Sequence, residues 1–214
     1  MSLSLASEST ASARGAPASP DRPAGAWDPE AIRADFPMLE RIVRGKRLAY
    51  LDSAATALKP RPVIDAMTRY LTEVTANVSR GVHTASQEAT EQYEAVRGAA
   101  ARFLNAADDE IIFTAGTTAS LNLVAQSYGR MVLRPGDEIL VTEMEHHSNL
   151  VPWQIVAEQT GARIRAIPIT DRGELDLSWL EQQPTDRVKI IAICHVSNVL
   201  GTIVPVARVS ALAH

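Results

Sequence analysis

The sequence predicts an α/β fold in which a mostly parallel sheet is flanked by helices. The first observation is that, from residue 110 onward, short apolar runs alternate with stretches of helical periodicity. Strands and helices that alternate in this way are typical of parallel sheets, because each crossover returns the chain to the same end of the sheet. The second observation is that runs such as residues 190–193 have no polar face, as expected for strands covered on both sides.

The composition fits one substantial domain of an ordinary globular protein. Of the 214 residues, 46 % are hydrophobic and 21 % are charged. The net charge of −4 argues against a surface that binds nucleic acid or anionic membranes, and no apolar run approaches the roughly 18 residues that a membrane span needs. The single cysteine, Cys194, excludes an internal disulfide and fits a reducing compartment, so we expect a cytoplasmic protein.

The first 27 residues differ from the rest of the chain. Of residues 1–26, 19 are Ala, Ser, Thr, Pro or Gly. A segment of this composition cannot bury enough apolar surface to offset its chain entropy, so we expect a disordered tail over residues 1–27. An organelle transit peptide is the alternative, and Glu8 and Asp21 disfavour it.

Caps and hydrophobic periodicity predict four elements before residue 110. Asp28 and Pro29 are typical of an N-cap followed by a proline at the first helical position. Apolar residues at helical spacing predict two further helices, and a short apolar run predicts a strand. The four elements are a helix over residues 29–35, a strand over 48–51, a helix from Pro62 to about residue 74, and a helix over 89–103.

The alternating part contains four predicted strands and four predicted helices. Each strand is a short apolar run, and each helix has apolar residues three or four positions apart. The strands are residues 110–114, 139–142, 163–169 and 188–195, and the helices are residues 118–128, 150–160, 175–181 and a last one from Pro205. Loops that follow parallel strands gather at one edge of a sheet, where ligands of open α/β sheets bind.

A glycine–threonine loop follows the first of these strands. Gly116 allows a sharp turn, and the hydroxyls of Thr117 and Thr118 stand beside the unpaired N–H groups of a helix start. These groups together could bind a phosphate, although threonines that only cap the helix are the alternative. The glycine patterns of nucleoside-triphosphate and dinucleotide loops are absent from the sequence.

Two adjacent histidines, His146 and His147, follow the strand at residues 139–142. Adjacent side chains usually point apart and no third ligand has a clear spacing, so we expect no metal site. A flat imidazole could instead stack on a planar ligand or carry a proton, and capping of the next helix is the alternative. Asn198, after the last strand, could hydrogen-bond a phenolic oxygen or could be a turn residue before Gly201.

Three other residues have open interpretations. Cys194 lies within a predicted strand, so we interpret it as a small buried hydrophobe and not as a nucleophile. Arg80 and His83 lie in a polar loop and could contact an anionic substrate, but a solvated loop explains them equally well.

Five segments together resemble the class V aminotransferase family of fold-type I pyridoxal-phosphate enzymes, and most closely its SufS-like (group II) cysteine desulfurases. They are MEHHSNLVPW at residues 144–153, HVSNVLGT at 195–202, YLDSAAT at 50–56, RGVHT at 80–84 and GTT at 116–118. The resemblance implies that residues 48–214 form part of the pyridoxal-phosphate-binding large domain. Residues 28–47 would belong to the small domain.

The resemblance implies a role for each polar loop of the site. Thr117 and Thr118 would hold the phosphate of pyridoxal 5'-phosphate. His146 would stack on the pyridine ring and relay protons, and Asn198 would hydrogen-bond the ring hydroxyl oxygen.

The resemblance also implies an activity for the full-length enzyme. It would take sulfur from L-cysteine, leave L-alanine, and pass enzyme-bound persulfide sulfur to an acceptor protein of iron–sulfur cluster assembly. It would act as a homodimer, and Ala55 and His83 would border the substrate. Two alternatives stay open: another class V activity, namely selenocysteine lyase or aminotransferase, and a non-catalytic fragment.

The chain departs from the family pattern at two places. Ala119 stands where the family usually has an acidic residue. Because that acid is not a cofactor ligand, its absence weakens the assignment to the SufS-like group more than the assignment of the cofactor. The Schiff-base lysine of the family is absent, since Lys46, Lys59 and Lys189 lie in other sequence settings. We therefore expect the N-terminal half of such an enzyme, inactive alone, with an incomplete sheet in which residues 110–114 lack a neighbouring strand.

Overall fold

The computed structural model describes residues 28–183 and 186–214. The predicted tail over residues 1–27 lies outside these ranges. The chain divides into two compact units, one up to Thr75 and one from Ala76 to the end. The assignment of residues 28–47 to a small domain and of 48–214 to a large domain stays a prediction.

The first unit contains two short helices and a small hairpin. Helix α1 is Pro29–Ala34, and a 3₁₀ turn follows at Pro37–Glu40. Strands β1, Ile42–Val43, and β2, Lys46–Arg47, pair antiparallel. Helix α2, Arg61–Arg69, continues into a π-helical turn at Tyr70–Val74. As the sequence predicts, the Asp28 carboxylate caps α1, since it accepts hydrogen bonds from the N–H groups of Glu30 at 3.0 Å and Ala31 at 3.3 Å.

The strand predicted over residues 48–51 is wrong. The hairpin turns at Arg44 and Gly45, both with positive φ, and its last backbone bond joins Leu48 N–H to Arg41 O at 2.9 Å. Beyond that point the segment has no strand beside it among the described residues, so it enters the loop at residues 52–56 without a ladder. A short apolar run cannot form a strand without a neighbour.

The second unit contains the longer helices and the parallel strands. The helices are α3 Thr84–Leu104, α4 Thr117–Val124, α5 Arg130–Val132, α6 Val151–Thr160, α7 Leu177–Gln182 and α8 Val206–Ala213. A π-helical turn, Ala125–Gly129, joins α4 to α5. The strands are β3 Glu138–Thr142, β4 Arg163–Ile167 and β5 Val188–Ala192. The strands predicted to end at Ile169 and His195 end earlier, at Ile167 and Ala192. After Ile167, Pro168 has no N–H to continue the ladder.

The sheet of the second unit is parallel, and β3 lies at its centre between β4 and β5. Its register places Val141 beside Ala166 of β4 and beside Ala192 of β5. This order confirms the predicted parallel sheet with flanking helices. It also leaves β4 and β5 as the two edges among the described strands.

The strand predicted at residues 110–114 is also wrong. A 3₁₀ turn occupies Asp108–Glu110, and no strand of the described chain pairs with the residues that follow. Side chains of α3 hold this segment instead. Phe113 contacts Tyr93 edge to face with ring centroids 5.2 Å apart, and the Arg97 guanidinium lies over the Phe113 ring and donates to Ile111 O.

The core occupies both faces of β3. Ile139 and Val141 point to one face, where they pack against Trp153 and Val156 of α6. Leu140 points to the other face, where it packs with the group Ile167, Leu180, Val204 and Val209. The central strand is therefore apolar on both sides, as expected for a parallel strand between two helical layers. Every helix in the described ranges is too short or too polar to cross a membrane.

We expect Ile139→Ala to reduce the free energy of unfolding by about 2–5 kcal/mol, because it removes a side chain from a filled core. The matched control is Ile155→Ala in α6, which should cost only about 0.5 kcal/mol. Ile139 is 0 % exposed and Ile155 is 41 % exposed. Urea unfolding of both variants measures the difference, and equal losses would contradict this assignment of the core.

Candidate cofactor site

The loops after β3 and β5 lie at the same edge of the sheet. The two strands are adjacent and parallel, so their carboxyl ends point the same way. The loop after β3, residues 143–149, contains His146, and the loop after β5, residues 193–204, contains Asn198. The predicted gathering of these two polar loops at one edge is confirmed.

The carboxylate of Glu145 ties the two loops together. Its Oε1 accepts hydrogen bonds from Thr142 Oγ1 at 2.7 Å and from the backbone N–H of Cys194 at 2.8 Å. Its Oε2 accepts from Asn149 Nδ2 at 2.8 Å. One side chain therefore joins the end of β3, the start of the next helical segment and the chain just beyond β5.

Asn149 continues this arrangement into the core. It is buried, and its Oδ1 accepts a hydrogen bond from Trp153 Nε1 at 3.0 Å. Trp153 itself packs in the core cluster against β3. The loop that carries His146 is thus attached to the hydrophobic core through a continuous series of hydrogen bonds.

His146 lies exposed at the start of the 3₁₀ turn His147–Asn149. Its Nδ1 accepts from the N–H of Ser148 at 3.1 Å and lies 2.8 Å from Ser148 Oγ. Because Nδ1 accepts from a backbone N–H, the proton of the neutral ring is on Nε2. The capping role that the sequence left open is therefore present, and it fixes the tautomer of an imidazole that solvent or a ligand can reach.

His147 is also exposed, and the two imidazoles diverge. Their ring centroids are 6.2 Å apart and the planes are inclined by 45°. Within residues 28–183 and 186–214, no group of three His, Cys, Asp or Glu side chains is placed to hold a metal ion.

The N-terminus of α4 has the features of an anion site. Gly116 precedes it with φ +150°, and no side chain caps the helix. The first backbone bond of the helix is from Ser120 N–H to Gly116 O at 3.0 Å, so the N–H groups of Thr117 and Thr118 come before it. Both threonines are exposed. Two hydroxyls and unpaired N–H groups at the positive end of a helix fit a phosphate.

Two contacts set the position of this helix start. Thr114 Oγ1 lies 2.7 Å from Ser120 Oγ and donates to Gly116 O at 3.1 Å, which holds the turn before α4. The helix also packs against the turn His147–Asn149. The structure therefore brings the element that begins with the two threonines next to the loop that carries His146.

Asn198 lies in a tight turn after β5. Ser197 N–H donates to Thr202 O at 3.0 Å, and Gly201 N–H donates to Ser197 O at 2.9 Å. Asn198 is exposed in this turn, and Gly201 has a φ of +72°. The turn interpretation is thus present, and the exposed amide is available for a ligand. Its predicted bond to the cofactor stays a prediction.

His83 caps α3, and its Nδ1 accepts from Ser86 N–H at 3.3 Å. The loop before it is held by Ser86, which is fully buried and donates from Oγ to Asn77 O at 2.5 Å. A Cβ on Gly81 would lie 2.2 Å from Ser86 Oγ, so only glycine fits there. Arg80 and His83 are both exposed.

Ala55 belongs to the other unit, where it is exposed in the turn that its N–H closes with Asp52 O at 3.2 Å. The roles of Ala55 and His83 at the substrate stay predictions.

The lysines lie in settings unlike the one that the resemblance requires. Lys189 is exposed at the second residue of β5, at the opposite end of that strand from the loop with Asn198. Lys46 lies in β2, and Lys59 donates from Nζ to Ala57 O at 2.5 Å. Among these, Lys189 belongs to the parallel sheet, and it lies away from the carboxyl edge.

The Cys194 thiol is partly buried against the core cluster around Leu140. Burial, followed by the nearby Glu145 carboxylate, raises the pKa of the Cys194 thiol to about 11. A thiol with a raised pKa is a poor nucleophile at neutral pH. This agrees with the interpretation of Cys194 as a small hydrophobe.

Sequence analysis missed the supporting residues Glu145, Asn149 and Trp153. A signal was present, since these residues are spaced by four positions. That spacing is the one at which side chains of a helical segment can bond to each other.

A family model described as aminotransferase class V matches residues 49–214. A probable cysteine desulfurase of Vibrio cholerae is 51 % identical over 186 residues, which cover 86 % of this chain and 46 % of the relative. A cysteine desulfurase of Dickeya dadantii is 48 % identical over 184 residues, with coverage of 86 % and 45 %. The chain spans about half the length of these curated relatives.

Two solved structures share the fold. The apo cysteine desulfurase from Thermococcus onnurineus is 43 % identical with a TM-score of 0.78, over 86 % of this chain and 44 % of that chain. The cysteine desulfurase CsdA from Escherichia coli is 42 % identical with a TM-score of 0.74, over 88 % of this chain and 46 % of that chain. The incomplete α/β fold therefore corresponds to part of a longer known one.

The raised pKa of Cys194 predicts a pH dependence of stability. The folded-state pKa of about 11 exceeds the ordinary value of 9.0, so the protonated thiol contributes stability that is fully present below pH 9 and lost as the pH rises through 11. We expect the difference in unfolding free energy between the wild type and Cys194→Ala to fall between pH 9 and pH 11. Urea titrations across this range measure it, and a constant difference would contradict the prediction.

Proposed function

We propose that this chain, which belongs to the class V aminotransferase family, provides the cofactor-holding part of a pyridoxal-phosphate-dependent cysteine desulfurase. The observation that carries the proposal is that α4, whose N-terminus has no side-chain cap, packs against the turn after His146 at the carboxyl edge of the sheet. Relatives named cysteine desulfurase, at 48 % and 51 % identity, support the activity.

The residues of the edge fit pyridoxal 5'-phosphate. Thr117 and Thr118, with the N–H groups of the α4 N-terminus, would hold its phosphate, since that helix end is positive and lacks a side-chain cap. His146 would lie against the ring, and Asn198 would bond the ring hydroxyl oxygen. When bound, the cofactor supplies an electron sink for reactions of amino acids.

His146 would also carry a proton in this proposal. Its Nδ1 is held by the N–H of Ser148, so proton exchange with a substrate would take place at Nε2. Ser148 thereby fixes both the tautomer and the orientation of the imidazole. A histidine can carry out this task only if its ring stays oriented, and the turn His147–Asn149 provides that orientation.

The activity proposed for the whole protein is the removal of sulfur from L-cysteine. The products would be L-alanine and an enzyme-bound persulfide, whose sulfur would pass to an acceptor protein of iron–sulfur cluster assembly. A solved structure described as SspA in complex with cysteine is 25 % identical with a TM-score of 0.70 and supports L-cysteine as the substrate. We further propose a homodimer, a cytoplasmic location and membership of the SufS-like group.

The 214 residues alone should be inactive in this proposal. The exposed Lys189 lies at the far end of β5, and Lys46 and Lys59 lie in the first unit. The Schiff-base lysine would have to come from a longer protein that contains this chain.

We expect a full-length protein that contains these residues, loaded with pyridoxal 5'-phosphate, to convert L-cysteine to L-alanine with one sulfide per alanine when a thiol reductant is present. Amino-acid analysis and sulfide detection measure both products, and the 214-residue chain should give neither. Transfer of the amino group to a keto acid would instead indicate an aminotransferase. Turnover of selenocysteine but not cysteine would indicate a lyase.

We expect His146→Ala to reduce kcat of that protein by about 10²-fold or more, because the proton carrier and the stacking ring are both lost. The matched control is His147→Ala, which removes the same group from the neighbouring exposed position and should cost far less. Steady-state assays, with the absorption of bound cofactor as a check on occupancy, compare the two. Equal losses would contradict the assignment to His146.

A further inference from the structure

We propose that Glu145 is a positioning residue of the site, which holds the His146 loop in register with the chain beyond β5. It does so through three hydrogen bonds that all point toward its carboxylate. The functional meaning of this role rests on the function proposed above. The bonds themselves are observed independently of it.

The first step is the donor count around Glu145. A threonine hydroxyl and a backbone N–H donate to Oε1, and an amide NH₂ donates to Oε2. The donors come from Thr142 at the end of β3, Cys194 beyond β5 and Asn149 in the turn after His146. A carboxylate accepts at both oxygens, whereas a glutamine accepts at one and donates at the other.

The second step is the direction of the two hydrogen bonds that run from Trp153 to Asn149 and from Asn149 to Glu145. The indole N–H of Trp153 can only donate, so the Asn149 oxygen must face it and the Asn149 NH₂ must face residue 145. Because Trp153 is 3 % exposed and packed in the core, this orientation is fixed. Position 145 therefore requires an acceptor toward Asn149, and the donor-only indole is the origin of that requirement.

The third step links this arrangement to the site. His146 is the next residue, and the backbone on both sides of it is fixed by the bonds of Glu145 and Asn149. The bond from Ser148 N–H that sets the His146 tautomer depends on this backbone. The bond from Cys194 N–H attaches the same carboxylate to the chain beyond β5, at a point four residues before Asn198. Glu145 thus acts on two of the predicted cofactor residues, His146 and Asn198, through its bonds to the chain near them.

The test is Glu145→Gln in the full-length protein, with Glu158→Gln as the matched control. Glu158 is an exposed acid on α6, so its substitution makes the same change of charge away from the network. In the variant, the new NH₂ faces either the NH₂ of Asn149 or the backbone N–H of Cys194, so both orientations of the glutamine amide leave one donor facing another donor. Asn149 cannot turn over, because its own NH₂ would then face the indole N–H.

The first readout is the ¹⁵N shifts of the His146 ring without cofactor, which do not depend on the proposed activity. At an alkaline pH at which the ring is neutral, the wild type and Glu158→Gln should both show a proton on Nε2 alone, and Glu145→Gln should show mixed tautomers. Unchanged shifts in Glu145→Gln would overturn the proposal.

The second readout is kcat of the loaded protein, which should fall on the order of tenfold to a hundredfold in Glu145→Gln, because a small displacement of a reacting group has effects of this size. Leu180→Ala, a buried core variant in the cluster around Leu140 and not in the cluster that contains Trp153, separates positioning from loss of stability and should keep the wild-type His146 shifts. Altered His146 shifts in Leu180→Ala would overturn the proposal. Wild-type protein without cysteine turnover, but with altered shifts in Glu145→Gln, would overturn the proposed function alone.

A double variant tests the direction of the bonds. In a Trp153→Phe background the indole donor is gone, so Asn149 can turn over and present its oxygen to the new glutamine. The effect of Glu145→Gln on the His146 shifts should therefore be smaller in Trp153→Phe than in the wild type. An equal effect in both backgrounds would overturn the assignment of Trp153 as the origin of the orientation.

Discussion

A single buried donor sets the geometry of the edge at which the candidate site lies. The indole of Trp153 packs in the core and can only donate its hydrogen bond, so Asn149 must receive it and must donate in turn to Glu145. The two oxygens of Glu145 then join loops that start from two different strands. The core thereby fixes the position of the polar loops at the carboxyl edge of the sheet, both by packing and by the direction of the hydrogen bonds that start from Trp153.

The elements that the sequence predicts correctly are those whose signals are local. The cap at Asp28, the helical spacing in α3 and the apolar runs of β3, β4 and β5 depend on residues close together in the chain. Residues 48–51 and 110–114 also have strand-like sequences, yet neither forms a strand. Whether an apolar run becomes a strand depends on a neighbour that can lie anywhere in the sequence.

The polar groups of the candidate site could be predicted from the sequence, but the contacts that hold those groups in place were not. Gly116 with two threonines has a recognisable pattern, and the adjacent histidines stand out in any polar loop. The spacing of four positions between Glu145 and Asn149 is a local signal, but the bond of Glu145 to Cys194 has none, because Cys194 is 49 positions away in the chain. The roles of Ala55 and His83 were predicted from the family resemblance alone. The two residues belong to different units of the chain.

The central place of β3 has a consequence for the order in which the chain is made. Val141 pairs with Ala166, 25 positions later, and with Ala192, 51 positions later. The middle strand is thus synthesised first and has no partner when it leaves the ribosome. At about 5–20 residues per second, both partners follow within seconds, one on each side. During that interval the most buried strand of the folded sheet exposes its apolar side chains, and exposed surface of this kind is what chaperones bind.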